Sequence, residues 1–100
     1  MILFRWDEAK DAANRRKHGI AFDDAIHVFE DPFALSEPDR IVEGEVRWQT
    51  IGSVTDAVVV LVAHTIEEEA ETDLVRIISA RRVTRRERRR YEQNRYENIE

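Results

Sequence analysis

The sequence predicts an α+β domain: an antiparallel β-sheet with two N-terminal helices packed on one face, followed by a C-terminal, arginine-rich helix. Three observations predict this fold. Helical periodicity is confined to the two ends of the chain, strand-like segments follow one another in the middle, and 100 residues leave no room for two long parallel crossovers. This length also fits a single domain that spans residues 1–100.

The first third of the chain is predicted as a short strand followed by two helices. Residues 2–6 form the strand. Asp7 is placed to cap a helix that ends at His18, and Gly19 follows as its C-terminal cap. A second, shorter helix is predicted over 23–30, where apolar residues recur at helical spacing until an Asp-Pro pair ends it.

The middle of the chain changes to strand periodicity. Segments of alternating or continuous apolar residues predict four strands, over 33–37, 45–51, 58–64 and 74–80. Gly52-Ser53 is predicted to open a turn, and the acidic segment 67–73 is predicted as a hairpin loop. Thr84 and Glu87 have the spacing of a capping box that starts the final helix, so we assign Glu87 this role rather than that of a general base.

Composition excludes several kinds of site. The chain has no cysteine, which rules out disulfides, thiolate metal sites and cysteine nucleophiles. The longest apolar run, 57–63, is too short to cross a bilayer, and charges interrupt residues 1–20, where a signal peptide would need an apolar core. We therefore expect a cytoplasmic protein with no membrane partner. No histidine pair has metal-ligand spacing, which argues against zinc. A carboxylate site for magnesium in the acidic middle of the chain stays an alternative that no motif specifies, and no cofactor is expected.

The net charge of −5 combines two segments of opposite sign. Residues 23–73 hold fourteen acidic and two basic side chains, whereas residues 74–95 hold nine arginines and two acidic side chains. Such asymmetry indicates a polyanion or an acidic protein as partner; a solubilising surface is the alternative. Guanidinium groups favour the first interpretation, because they bind phosphate through two parallel hydrogen bonds.

Several side chains are candidates for chemistry. Arg76 lies among apolar residues of the last strand, so it either forms a structural salt bridge or contacts phosphate. His64 ends the central strand, and it either transfers protons near neutral pH or only satisfies a backbone group. Tyr91 and Trp48 offer aromatic faces on which RNA bases can stack.

Several segments of the sequence resemble one protein family, the BrnT toxins of type II toxin–antitoxin systems. The match extends over nearly the whole chain, in the right order, and is carried by Trp6-Asp7, residues 14–22, Ala25, residues 28–32, 44–48, 51–52 and 76–82, Thr84, Glu87, Arg88 and Tyr91. The resemblance implies a fold like that of the RelE and ParE toxins. It also implies a bacterial ribonuclease that arrests growth by cutting RNA.

The same resemblance implies a partner. A BrnA-type antitoxin with a ribbon-helix-helix DNA-binding domain would neutralise the toxin, and the complex would repress its own operon, so that operator DNA is contacted only through the antitoxin. The sequence departs from the family in the loop after His64-Thr65, which usually carries a basic residue; here 66–73 is acidic and would repel a phosphate chain.

These observations predict metal-independent cleavage in which the 2′-hydroxyl of RNA attacks the adjacent phosphorus. Arg76 and Arg81 are expected to stabilise charge on the phosphate, with His64 as general acid or base. The RNA is expected to be held by Lys17, Arg82, Arg85, Arg89 and Tyr91. Two alternatives remain: a catalytically weak module that binds its antitoxin and acts as co-repressor, and a toxin directed at gyrase. The ribonuclease hypothesis requires the arginines to converge in a single pocket.

Overall fold

The computed structural model describes residues 1–99. The elements, in chain order, are β1 (Ile2–Arg5), α1 (Glu8–His18), α2 (Phe22–Ala25), a 3-10 helix (Ile26–Glu30), β2 (Leu35–Val42), β3 (Glu45–Thr55), β4 (Val58–Glu69), β5 (Thr72–Arg82) and α3 (Arg85–Glu97). The predicted order of strands and helices is therefore confirmed, with the second helix divided into one α-helical turn and a 3-10 segment. Within residues 1–99, every helix is too short or too polar to cross a membrane.

The five strands form one mixed sheet in the order β1-β5-β4-β3-β2. Strands β2 to β5 are joined by hairpins and are antiparallel, but β1 pairs with β5 in parallel, with Ile2 opposite Asp73 and Arg5 opposite Arg76. The prediction of a fully antiparallel sheet was wrong at this edge. The connection from β1 to β5 passes through both helices and three strands, and such a long connection permits the parallel pairing that no hairpin allows.

The strands are longer than the sequence predicted. Gly52 and Ser53 do not open a turn but lie within β3, and the turn comes at Asp56-Ala57. Glycine is required at position 52 because a Cβ there would lie 2.9 Å from the Cβ of Val28 in the 3-10 helix. Its missing side chain lets that helix pack directly against the backbone of the sheet.

The acidic segment is mostly strand rather than loop. The ladder between β4 and β5 continues to Glu69 and Thr72, which leaves only Ala70 and Glu71 in the turn. The prediction of a hairpin loop over 67–73 was therefore wrong. Hydrogen bonding between two long strands overrides the low strand propensity of glutamate, and most of the acidic side chains extend from a rigid hairpin.

The predicted helix caps are confirmed. The Asp7 carboxylate accepts hydrogen bonds from two backbone N–H groups of the first turn of α1, and Gly19 ends that helix in the left-handed conformation with φ 71°. At α3, Thr84 and Glu87 form the reciprocal capping box. Local sequence alone is sufficient for these features, because each cap satisfies backbone groups within the same helix end.

Helices lie on both faces of the sheet, not on one. Alternate residues of β4 point to opposite faces: Val60 and Val62 share a core with residues of α2 and the 3-10 helix, whereas Val59 and Leu61 pack with Tyr91 of α3. We call the first side the packed face and the second the arginine face. The prediction placed only the two N-terminal helices on a face; α3 lies on the opposite face, where Tyr91, its one buried residue, anchors it.

Candidate functional site

A bulge in β5 brings two of the predicted site residues to one face. The register between β4 and β5 shifts by one residue, so that Ile78 has no partner in β4. A one-residue shift reverses the alternation of side chains beyond it. Arg76 lies opposite Thr65 and Arg81 opposite Leu61, and both β4 residues point to the arginine face. Arg76 and Arg81 therefore share that face although they are five residues apart.

Glu45 joins two arginines on the part of the arginine face that α3 leaves uncovered. Its Oε1 atom lies 2.8 Å from Nη2 of Arg76 and 3.7 Å from Nη2 of Arg47. All three side chains are partly exposed, between 23% and 34%. The Nε atom of Arg47 is buried and has no hydrogen-bond partner among residues 1–99, and the Arg47 side chain as a whole is 23% exposed.

Arg81 lies farther along the same face and is paired with Glu87. Its two terminal nitrogens donate to the two carboxylate oxygens of Glu87 at 2.8 and 3.0 Å. This hydrogen bonding lowers the pKa of Glu87 to about 2 and raises the pKa of Arg81 above its usual value. Glu87 thus remains a carboxylate throughout the physiological range, where it holds the Arg81 guanidinium in one orientation.

Fewer arginines on this face lack a carboxylate partner than the surplus of arginines over acids in residues 74–95 indicated. Arg90 donates to Glu37 of β2 at 2.8 Å, so four arginines on the arginine face meet three glutamates. Two of these acids, Glu37 and Glu45, come from distant parts of the chain, so counting acids near the arginine run missed them. For Arg76, the salt-bridge alternative is the geometry that the structure shows.

His64 does not reach the arginine face. It lies within β4, points to the packed face and is 0% exposed. Its Nε2 atom is 2.7 Å from the Thr50 hydroxyl, and its ring meets Phe29 edge to face. Burial lowers the pKa of His64 below its usual value. The expectation that His64 exchanges protons with a substrate conflicts with this position, because the ring has no access to solvent or ligand.

Tyr91 and Trp48 are also unavailable as a joint stacking surface. Tyr91 is 2% exposed, and its hydroxyl donates to Asp31 at 2.5 Å. Desolvation and this hydrogen bond raise the pKa of Tyr91 to about 12. Trp48 pairs with His64 across the β3–β4 ladder and so points to the packed face. The expected role of Tyr91 in RNA binding is replaced by a structural one, which is to anchor α3 on the sheet.

The remaining predicted RNA-binding residues lie on separate surfaces. Lys17 lies at the exposed edge of β5, beside Ile78. Arg82 pairs with Val60 and so points to the packed side of the sheet. Arg85 and Arg89 are exposed on α3. The expected single pocket is therefore wrong as a whole: Arg76 and Arg81 share a face but pair with different glutamates, and Lys17 and Arg82 lie elsewhere.

Two residues of this site, Arg47 and Glu45, were not predicted from the sequence. Arg47 gave the same signal as Arg76, a charge on a strand that alternates with apolar residues. Glu45 gave none, because its partner Arg76 is 31 residues away along the chain. Among residues 1–99, no group of three or more His, Asp or Glu side chains is arranged to hold a metal ion.

Comparison with known proteins gives one family and one fold. A family model described as the ribonuclease toxin BrnT of type II toxin–antitoxin systems matches residues 6–87. The 1.1 Å crystal structure of the Brucella abortus ribonuclease toxin BrnT is similar to this chain, with a TM-score of 0.58 and 23% sequence identity. The similarity covers 85% of this chain and 99% of the Brucella chain, and at that identity it shows a shared fold. No curated protein matches the sequence.

Proposed function

The chain belongs to the BrnT family of ribonuclease toxins of type II toxin–antitoxin systems, and from this premise we propose that it cuts RNA on its arginine face without a metal ion. One observation carries the proposal: Arg47 of β3 and Arg76 and Arg81 of β5 lie partly exposed on the same face of the sheet, and Glu45 pairs with the first two. Such a surface combines phosphate-binding groups with a carboxylate that can accept a proton.

Binding of the scissile phosphate is assigned to the three arginines. Each guanidinium has five N–H donors. Arg76 uses one terminal nitrogen for Glu45, and Arg81 uses two for Glu87, so both retain further donors. The glutamates fix the guanidinium planes in advance, which reduces the reorganisation that phosphate binding requires.

The proposed reaction is an intramolecular transfer within the RNA. Glu45 takes the proton of the 2′-hydroxyl, and the resulting oxygen forms a bond to the adjacent phosphorus. The bond from phosphorus to the 5′-oxygen breaks, and that oxygen takes a proton from water at the open surface. The products are a 2′,3′-cyclic phosphate and a 5′-hydroxyl. Arg76 and Arg81 stabilise the charge that develops on the phosphate oxygens during this step.

The partner of a type II toxin is a protein antitoxin, and we infer from the sequence resemblance that it is a BrnA-type protein with a ribbon-helix-helix domain. The operator DNA would be read by that domain and not by this chain. Cytoplasmic RNA of a bacterium would be the substrate, and the partly exposed guanidinium groups of the arginine face support this assignment because they match the geometry of phosphate.

Cleavage of an end-labelled RNA in the presence of EDTA tests the proposal. We expect full activity with the chelator and a loss of about 10²- to 10³-fold in kcat for Glu45→Gln. Glu43→Gln is the matched control, because Glu43 lies in the turn next to Glu45 and is exposed. Activity that vanishes with EDTA and returns with magnesium would overturn the metal-free mechanism. Wild-type rates for Glu45→Gln would remove Glu45 as the base.

The pairing of arginines favours a second candidate, a weakly catalytic module whose main role is to bind the antitoxin. Four arginines of the arginine face meet three glutamates, so the surface attracts RNA less strongly than its arginine content implies. Induced expression of the chain without its antitoxin separates the two candidates. Growth arrest with RNA degradation supports the ribonuclease, whereas unimpaired growth with a folded protein supports the binding module.

A further inference from the structure

The outer side of α3 carries an exposed stripe of arginines that the proposed cleavage site does not use. Tyr91 points from α3 into the sheet, and the residues on the opposite side of the helix recur at helical spacing. We call this set the outer stripe; it consists of Arg85, Arg86, Arg89, Gln93 and Tyr96. All five are exposed, and Tyr96 is 78% exposed.

The arginines of the outer stripe differ from their neighbours in charge pairing. Arg81, Arg88 and Arg90 each lie within 4.0 Å of a carboxylate. Across residues 1–99, no carboxylate lies within that distance of Arg85, Arg86 or Arg89. Their full charge and all of their donors are therefore available to an external anion.

The outer stripe begins next to the proposed cleavage site. Glu87, in the first turn of α3, holds Arg81 on the arginine face through two hydrogen bonds. Arg85 and Arg86 belong to the same turn, and Arg89 lies about 6 Å farther along the helix axis. A strand that leaves the arginine face at Arg81 therefore meets these arginines next, and then Tyr96 about two turns later.

We propose that the outer stripe is a second RNA-binding subsite, which holds the single-stranded segment flanking the bond that is cut. Guanidinium forks bind successive phosphates, and the exposed ring of Tyr96 stacks on one base. The subsite rests on the proposed ribonuclease function and extends it: the outer stripe sets the affinity for long RNA and leaves the chemical step to the arginine face.

Substrates of different length separate the two surfaces. A dinucleoside phosphate reaches only the arginine face, whereas a 20-nucleotide single-stranded RNA reaches both. For Arg85→Gln/Arg89→Gln we expect KM for the 20-mer to rise about tenfold or more. The kcat for both substrates and the KM for the dinucleoside phosphate stay unchanged. Tyr96→Ala is expected to raise KM for the 20-mer about tenfold, which is the usual effect of losing one stacked base.

Salt dependence of binding gives a second measure that does not require cleavage. The probe is a 20-nucleotide 2′-O-methyl RNA, which lacks the attacking hydroxyl. Loss of two phosphate contacts lowers the slope of log Kd against log salt by about 1.4, since each contact to a single strand contributes about 0.7. Lys10→Gln/Arg16→Gln is the matched control, because it removes two exposed charges from α1, and it should leave the slope unchanged.

The possible outcomes distinguish failure of the subsite proposal from failure of the proposed ribonuclease function. An unchanged KM and salt slope in Arg85→Gln/Arg89→Gln, with normal cleavage by the wild-type chain, would overturn the subsite alone. Unchanged RNA binding together with lost binding of the co-expressed antitoxin would assign the stripe to the protein partner, and so would also overturn it. A wild-type chain that binds the probe with the expected slope but cuts neither substrate would support the subsite and overturn the ribonuclease mechanism.

Discussion

The two faces of the sheet differ in the solvent exposure of their hydrogen-bonded polar side chains. On the packed face, His64, Thr50 and Ser36 form a chain of hydrogen bonds of 2.7 Å, and His64 and Thr50 are at most 1% exposed. On the arginine face, Arg76 and Arg81 are also hydrogen-bonded, yet they are 33% and 37% exposed. A hydrogen-bond partner is thus present on both faces, and only one face keeps the polar groups accessible to a ligand.

The presence of a hydrogen-bond partner therefore does not by itself distinguish a structural polar side chain from one that is available to a ligand. Within the packed face, each buried polar atom needs its partner, because an unsatisfied one costs about 1–3 kcal/mol. A partly exposed guanidinium loses little by exchanging one carboxylate for a phosphate, since water and the remaining donors compensate. The packed face therefore contributes stability, and the arginine face is the surface that can exchange partners.

The largest expected effect is a loss of stability caused by a substitution on the packed face alone. Phe22 is 0% exposed and packs edge to face against Trp6, so Phe22→Ala leaves a cavity and should lower the free energy of unfolding by about 3–5 kcal/mol. Chemical denaturation measures this change. If the two faces act independently, the fraction that remains folded cuts RNA at the wild-type rate; a parallel loss of kcat per folded molecule would contradict the comparison.

The converse change, Arg81→Ala, should remove activity at a smaller cost in stability than Phe22→Ala. We expect kcat to fall about 10²- to 10³-fold, as for other single charge-stabilising groups. The free energy of unfolding should fall by about 1–3 kcal/mol, because Glu87, whose side chain is 20% exposed, loses its charged partner. Glu87→Gln is the control, because it keeps Arg81 and removes the carboxylate whose pKa is about 2. Its kcat should fall less than about tenfold. Equal losses in both variants would show that the ion pair itself is required.

A smaller effect is expected where α3 meets the sheet. Tyr91→Phe removes the hydroxyl that donates to Asp31 and should cost about 1.5–3 kcal/mol, as for a hydrogen bond to a charged group. Hydrogen exchange should become faster in α3 than in β4, because the tyrosine is the helix's one buried residue. Uniform acceleration across both elements would mean that α3 does not open separately from the sheet.

The smallest effect is a dependence of stability on pH that comes from the packed face. Burial lowers the pKa of His64 in the folded chain, so the unfolded chain binds the proton more readily, and stability falls as the pH drops below about 6.5. The loss is at most about 1.4 kcal/mol for each pH unit. His64→Gln should show a shallower decline between pH 6.5 and 5. Identical slopes in both chains would show that carboxylates alone account for the acid sensitivity.

Local features of the fold followed from the sequence more reliably than pairings between distant segments. The helix caps were predicted correctly at Asp7, Gly19 and Thr84, because a cap satisfies backbone groups within the same helix end. Of the predicted site residues, Arg76 and Arg81 lie on one face of the sheet, and their part in RNA cleavage stays a proposal. The acid beside Arg76 was missed, because Glu45 reaches it only after the β3–β4 and β4–β5 ladders have formed.

The sequence by itself determined the order of the elements, the ends of α1 and α3, the alternation that separates Arg47 from Trp48, and the family to which the chain belongs. Tertiary structure decided which face each side chain uses. Arg76 and Arg82 have the same parity along β5, so sequence alternation alone would pair them; the extra residue Ile78 instead joins Arg76 with Arg81 and turns Arg82 away. Periodicity is a local property of the backbone, whereas a bulge exists only relative to the neighbouring strand.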